Sequence, residues 1–254
     1  MSSIDRAFQI LFLLADSPEE MGVTEIGKRL SLSKSTVFRF LASMERLGVV
    51  QKNPATSKYH LGLTLFELGN RVFIKKSMID RFHPYLEDLA FQVKEIVNLA
   101  GLFQNELIYL DKIEANRSFQ IRTYVGFHVP PHCTALGKAI LAHMPETDVR
   151  RILMERGLPA RTEKTITDPQ KLMQELAAIR KQGYALDNEE FEDGLRCLAV
   201  PVFDSQGNVV ASISISAAAV KINDFTLPDY LGKIRKTARD LEDELKLGVR
   251  HGSL

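Results

Sequence analysis

The chain has 254 residues, 45% of them hydrophobic and 26% charged, and a formal net charge of +1. That length exceeds one usual compact domain and predicts two, the composition is globular, and no apolar run is long enough to cross a bilayer. Two cysteines, Cys133 and Cys197, are too few for a disulfide framework and too widely spaced for a structural zinc site.

Residues 1–16 lack the basic start and small-residue cleavage site of a secretory signal, so a cytoplasmic protein with no membrane partner is expected. Within them Ile4, Ala7, Phe8, Ile10, Leu11 and Leu14 recur at helical spacing, and Ser17 and Pro18 end the helix. Thr24 is expected to cap a short second helix reaching Leu30, Ser31 and Leu32 to turn the chain, and Ser33 to cap a third helix. In the third helix Val37, Phe40, Leu41, Met44 and Leu47 form one apolar stripe, and Gly48 supplies a left-handed stop. The opposite face carries Ser35, Arg39, Ala42, Ser43 and Arg46, with Thr36 on the flank and Lys34 in the first turn. Two β-prone runs around Asn53, Pro54 and Ala55 then read as a hairpin wing with Lys52 and Lys58 beside its tip.

Charge is uneven across this region. Between Gly27 and Leu61 the bases are Lys28, Arg29, Lys34, Arg39, Arg46, Lys52 and Lys58, and the one acid is Glu45. A solvated basic face accounts for the charge by itself, and a small packing domain accounts for three helices by themselves. Wing and charge bias together favour a DNA-reading unit whose third helix enters the major groove. Arg39 can pair with guanine, and Lys34 with the hydroxyls of Ser33, Ser35 and Thr36 can bond phosphates or base edges. Thr24, Lys52 and Lys58 complete the candidate contact set.

Leu63, Leu65, Phe66, Leu68, Val72 and Phe73 form a helical pattern with more apolar surface than one exposed helix needs. Beyond it, helix is expected over residues 82–94 and strands over 97–103, 107–113 and 119–124. Short helices follow over "ALGKAILAHM" and "DVRRILMERG", then a longer one over residues 169–182. "LRCLAVPVF" and "VVASISIS" pair as strands around a turn at 204–208, and a last helix spans about 228–245. The whole is α+β.

"SLSKSTVFRFLASMERLGVV" with the following "KYHLGLTLFELGNR" resembles the winged helix-turn-helix and linker of the IclR family of bacterial transcription regulators. "HCTALGKAILA" and "DNEEFEDGLRCLAVPVFD" resemble that family's ligand domain, so the likeness covers nearly the whole chain. Within the family, "KSTVFRFL", "RTEKTIT" and "NEEFEDGLRC" look most like the repressors of pectin and hexuronate breakdown that sense 2-keto-3-deoxygluconate. The resemblance implies a winged helix-turn-helix domain over residues 1–62, a dimerising linker helix over 63–78 and a GAF-like effector domain with a curved antiparallel sheet over 79–254. It implies operator DNA as partner and assembly as a homodimer or a dimer of dimers, since each monomer reads one half-site of a two-fold operator.

Period-two alternation puts Ser212, Ser214 and Ser216 on one face of their strand, and Leu195, Cys197 and Ala199 on one face of the neighbouring strand. The resemblance maps the family's ligand contacts onto Asp187, Cys197, Ser214 and Ser216, with Leu195 and Val129 as apolar walls. The helix that starts near Thr134 offers the amides of Ala135 and Leu136 to a carboxylate. A small 2-oxo or hydroxy acid fits that set, and the resemblance implies 2-keto-3-deoxygluconate or a related sugar acid.

Catalytic readings carry less. His128, His132, Cys133 and His143 lie close in sequence, but Pro130 and Pro131 intervene, and no metal or cofactor is assigned. Both cysteines read as small buried hydrophobes, and the acidic run 187–193 reads as solvated apart from Asp187. No enzymatic activity is expected. The rival class is a small-molecule sensor or metabolic enzyme built on the same ligand domain without DNA binding.

Overall fold

A computed structural model describes residues 2–74, 78–115 and 123–251, without the side chains of 70–74 and 247–251. The chain divides into two compact units, Met1–Ser77 and Met78–Leu254.

Helix α1 (Ser3–Ala15) starts at a capping box, in which Ser2 Oγ accepts the Asp5 N–H and the Asp5 carboxylate accepts the Ser2 N–H. Its Ile10 and Leu14 face the core, whereas Ile4, Phe8 and Phe12 are 69%, 52% and 63% exposed. The apolar pattern of α1 therefore serves two faces. Helix α2 (Val23–Leu30) is capped by Gly22. Thr24 is not the cap: Val23 is already helical, and Thr24 lies exposed in the first turn.

Helix α3 (Lys34–Arg46) begins as the sequence predicts, with Ser33 Oγ accepting the Thr36 N–H at 3.2 Å. Val37, Leu41 and Met44 are buried against α1 and α2, Phe40 is half-buried, and Leu47, expected inside, is 64% exposed. Leu47 sits beyond the last helical residue, where the stripe no longer faces the core. Gly48 has φ +68, and a Cβ there would stand 2.5 Å from Thr64 Oγ1. Strands β1 (Val50–Lys52) and β2 (Tyr59–Leu61) form the antiparallel wing. Helix α4 (Leu63–Ile74) follows, with Leu63, Phe66 and Leu68 exposed.

The second unit is built on one six-stranded antiparallel sheet. In chain order come α5 (Met78–Val93), β3 (Ile96–Phe103), β4 (Glu106–Glu114), β5 (His128–Val129), α6 (Ala135–Leu141), α7 (Glu146–Arg156) and α8 (Pro169–Gln182). Then come β6 (Ala185–Asn188), β7 (Leu195–Phe203), β8 (Val209–Ala218) and α9 (Leu227–His251). The spatial order is β5-β4-β3-β8-β7-β6. One sheet face packs on α6, α7 and α8, and the other on α5 and α9. Both faces are covered, so β8 is buried from Ala211 to Ala217 although it alternates Ser with Ile. The expected strand over 119–124 falls mostly on 116–122, outside the described residues. The two short strands β5 and β6 have no counterpart in the sequence reading.

Candidate DNA-contacting face and ligand cavity

The front of α3 gathers three hydroxyls. Ser33 Oγ lies 3.0 Å from Ser35 Oγ and 2.8 Å from Thr36 Oγ1. Lys34, Ser35 and Arg39 are exposed, Thr36 is half-buried, and neither Lys34 nor Arg39 has a carboxylate partner among the described residues. Thr24 is exposed on α2. Lys52 is exposed, its Nζ 5.9 Å from the centroid of Tyr59, and Lys58 is half-buried at the wing.

The sequence reading missed two features here. Glu20 accepts from Asn53 Nδ2 and from Thr56 Oγ1, which ties the wing tip down and holds the Glu20 carboxyl below its usual range. Phe38 is 57% exposed on the flank of α3, one turn from Ala42 and three residues from Ser35. Its neighbours Val37 and Leu41 carry the apolar period, so nothing in the spacing marks Phe38 as an outward side chain.

In the second unit, a small cavity of about 10 Å³, room for about one water, lies between the start of α6, the turn after β6, and the serine face of β8. Ala135, Leu136, Asp187, Leu195, Cys197, Ser214 and Ser216 line it, joined by Thr134, expected only as the start of the helix, and by Tyr109 and Phe191, which the sequence reading did not single out. Val129 is not in the lining: it pairs with Leu107 in β5, at the sheet edge, and packs in the adjoining apolar core. The register explains the convergence. Asp187 stands opposite Cys197, and Cys197 opposite Ser216, so the three form a row across β6, β7 and β8.

At the start of α6, Thr134 Oγ1 caps the Gly137 N–H at 3.1 Å, and the Ala135 and Leu136 amides have no partner within the helix. Gly137 permits the close approach of the preceding turn, since a Cβ there would lie 2.2 Å from the Pro131 carbonyl oxygen. Asp187 is 1% exposed and accepts from the Glu190 N–H at 2.7 Å and the Phe191 N–H at 3.4 Å. Burial pushes its carboxyl up to about 7 against those amide bonds and the nearby Lys138.

The acidic run is not uniformly solvated. Glu190 is 6% exposed, and its Oε1 lies 2.5 Å from Nζ of Lys138, a lysine with no exposed surface. Glu175 of α8 completes the arrangement at 3.2 Å from the same Nζ. Neither member of the pair was foreseen: Glu190 sits among exposed acids and Lys138 in a short helix, 52 residues away. Thr162 and Thr165 donate to the Glu189 and Glu190 carbonyls at 2.7 and 2.6 Å, and Arg161 lies 4.9 Å from the centroid of Phe191. These contacts hold the turn that presents Asp187.

Both thiols stay protonated at neutral pH. Burial and the charge of Asp187 push Cys133 up to about 12 and Cys197 well above its usual range. Among the described residues no three His, Cys, Asp or Glu side chains converge as a metal-ligand set, and no helix is long and apolar enough to cross a membrane.

The IclR helix-turn-helix domain matches residues 3–54, and the C-terminal domain of the bacterial transcriptional regulator IclR matches residues 71–243. The chain belongs to the IclR family. It is 36% identical over 245 residues to the HTH-type transcriptional regulator KdgR of Escherichia coli, covering 96% of this chain and 93% of that one. The KdgR of Dickeya chrysanthemi is 35% identical, with 96% of this chain and 80% of that one covered. Among solved structures, Thermotoga maritima IclR superposes with a TM-score of 0.78 at 33% identity over 96% of this chain and 98% of that one. An IclR homolog from Microbacterium hydrocarbonoxydans, complexed with 4-hydroxybenzoate, gives a TM-score of 0.82 at 26% identity over 97% and 100%. This IclR-family protein is a KdgR-like DNA-binding transcriptional regulator, and the expected family and α+β architecture hold.

Proposed function

We propose that this IclR-family protein is a dimeric repressor whose operator affinity falls when a small organic acid occupies the cavity, 2-keto-3-deoxygluconate or a related 2-oxo or sugar acid. The single observation that carries this reading is the convergence of the Ala135 and Leu136 amides, the Asp187 carboxylate and the Ser214 and Ser216 hydroxyls on one cavity. Backbone amides at a helix start suit a carboxylate, and a buried carboxylate with two hydroxyls suits the rest of a hydroxylated chain. Leu195 and Cys197 give that chain an apolar wall. At about 10 Å³ the cavity has room for about one water, so an acid must push the lining side chains apart to enter. The Microbacterium relative, crystallised with an aromatic carboxylic acid, supports the acid class and keeps hydroxybenzoates in the test panel.

DNA contact rests on α3 and the wing. Arg39 reads a base edge, Lys34, Ser33, Ser35 and Thr36 contact phosphates or bases, and Thr24, Lys52 and Lys58 hold the flanking backbone. The exposed Leu63, Phe66 and Leu68 of α4 support pairing with a second copy, and Ile4, Phe8 and Phe12 of α1 offer further apolar surface for it. Ligand in the cavity then changes the spacing of the two recognition helices. The coupling required is modest, about 1–3 kcal/mol.

The test pairs two assays. A thermal-shift screen over carbon acids identifies the ligand, and a gel shift on the region upstream of the protein's own gene measures DNA binding as salt is raised. Replacing Asp187 and Ser214 with Ala should abolish the ligand response and leave DNA binding intact. Absence of any salt-dependent gel shift would favour a sensor or enzyme that shares the ligand domain.

A further inference from the structure

Asn98 stands in β3 between Val97 and Leu99 and is only 2% exposed. A buried amide costs stability unless its groups are paired. Its Nδ2 finds two partners, Ser214 Oγ at 3.3 Å and Ser216 Oγ at 3.2 Å. The register brings them together, with Asn98 opposite Ser214 and Ile96 opposite Ser216 on the neighbouring strand, so all three polar side chains share one face. The two hydrogens of one amide nitrogen are thus committed to two hydroxyl oxygens. Its Oδ1, on the other side, has no hydrogen-bond partner among the described residues. In this orientation the amide donates and the two hydroxyl oxygens accept.

That direction has a consequence for the hydroxyls. Each serine oxygen has one lone pair occupied by Asn98, so its own O–H proton must point elsewhere, and both side chains line the cavity. Ser212, the third serine of the row, behaves differently: its hydroxyl donates to the Leu136 carbonyl at 3.0 Å, and it does not line the cavity. Ser216 also meets the Cys197 thiol, opposite it in the register, and a thiol is a weak hydrogen-bond partner that a ligand oxygen displaces.

We propose that Asn98 is a positioning residue that turns the Ser214 and Ser216 protons into the cavity, so that this end of the site selects a 2-oxo carbonyl over the hydroxyl of its reduced counterpart. The proposal rests on the organic-acid reading above. A carbonyl oxygen accepts both serine protons at once, whereas a hydroxyl brings a third proton into the same space. Asp187 supplies the opposite polarity, an acceptor for ligand hydroxyls. Its backbone is two strand spacings from Ser216, about 10 Å, a gap that a short hydroxylated chain bonded at both ends can bridge.

The experiment is calorimetric titration of the full-length protein with 2-keto-3-deoxygluconate and with its 2-hydroxy reduction product. The wild type should prefer the oxo acid on the order of tenfold. In Asn98→Asp the carboxylate accepts from both serines and reverses them, so the preference should fall to near one or below, with operator affinity in the absence of ligand unchanged. A folded N98D protein that weakens both acids equally, or leaves the ratio intact, overturns the proposal. A second measurement stands without any ligand: in the wild type both side-chain amide protons of Asn98 should show the NMR shift and slow exchange of bonded donors, with Ser214→Ala and Ser216→Ala each releasing one. Amide protons that respond to neither substitution also overturn it. Should the wild type bind neither acid, the effector class proposed above fails, and the amide spectrum alone decides whether the serine polarity stands.

Discussion

Replacing Asp187 with Asn keeps the shape and the acceptor for the Glu190 and Phe191 amides, and removes the charge. In the folded protein burial holds this carboxyl at about 7, against a usual value of 3.8. A group whose folded pKa is raised contributes stability that is fully present below its unfolded pKa and is lost as pH rises through the folded one. Between those two values the unfolded chain ionises freely and the folded chain does not, so the wild type loses about 1.4 kcal/mol per pH unit. From pH 5 to pH 8 the accumulated loss is about 2.5 kcal/mol, most of it before pH 7. Glu190 is also raised by burial, and its charge is one of the causes that raise Asp187, so only the part of its titration that is independent of Asp187 cancels from their difference. The advantage of D187N over wild type should therefore grow by about 2.5 kcal/mol between pH 5 and pH 8. Urea melts of the two proteins at several pH values measure it. An advantage that is flat with pH, or that shrinks as pH rises, refutes the claim that Asp187 is a carboxylate held against its own ionisation.

Arg39→Ala should weaken operator binding by about 1–3 kcal/mol at fixed salt, measured by fluorescence anisotropy; unchanged affinity removes Arg39 from base reading. Ser33→Ala deletes the cap bond to Thr36 and should destabilise the N-terminal unit by about 0.5–2 kcal/mol in chemical melts. Lys138→Met strands the Glu190 carboxylate and should cost about 3–5 kcal/mol at pH 8. The cost should be smaller at pH 5 than at pH 8, because burial raises the Glu190 carboxyl and losing Lys138 raises it further. A loss below about 1 kcal/mol at both pH values would mean the buried pair is not the tie it looks to be.

Local signals made several elements readable. The helix over Pro169–Gln182 was legible at both ends, because Asp168 accepts the Gln170 and Lys171 amides, Pro169 suits the first helical position, and Gly183 turns left-handed at φ 74. Ser33 and Gly48 bracket α3 in the same way. Thr24 failed as a cap because Gly22, two residues earlier, was free to take the extended backbone a cap needs. The serine face was legible as a face, but not as buried: alternation of Ser and Ile fits solvent on one side equally well, and only the helices packed on both faces of the sheet decide it. Lys138, Glu190 and Asn98 stayed hidden for a related reason. Each is a polar residue whose partner is far along the chain, and pairing across 52 or 116 residues leaves no periodic trace. Ile4 and Phe8 sit at core spacing and are exposed, since apolar surface kept for another chain has the same pattern as surface kept for the chain's own interior.

If an acid in the cavity governs DNA binding by α3, operator affinity must differ with and without that acid. At constant ionic strength, a saturating acid identified by thermal shift should raise the operator Kd by about 5- to 150-fold in the wild type. It should leave Kd unchanged when Asp187 and Ser214 are both Ala. An acid that stabilises the wild type while the operator Kd stays the same would contradict control of DNA binding from the cavity.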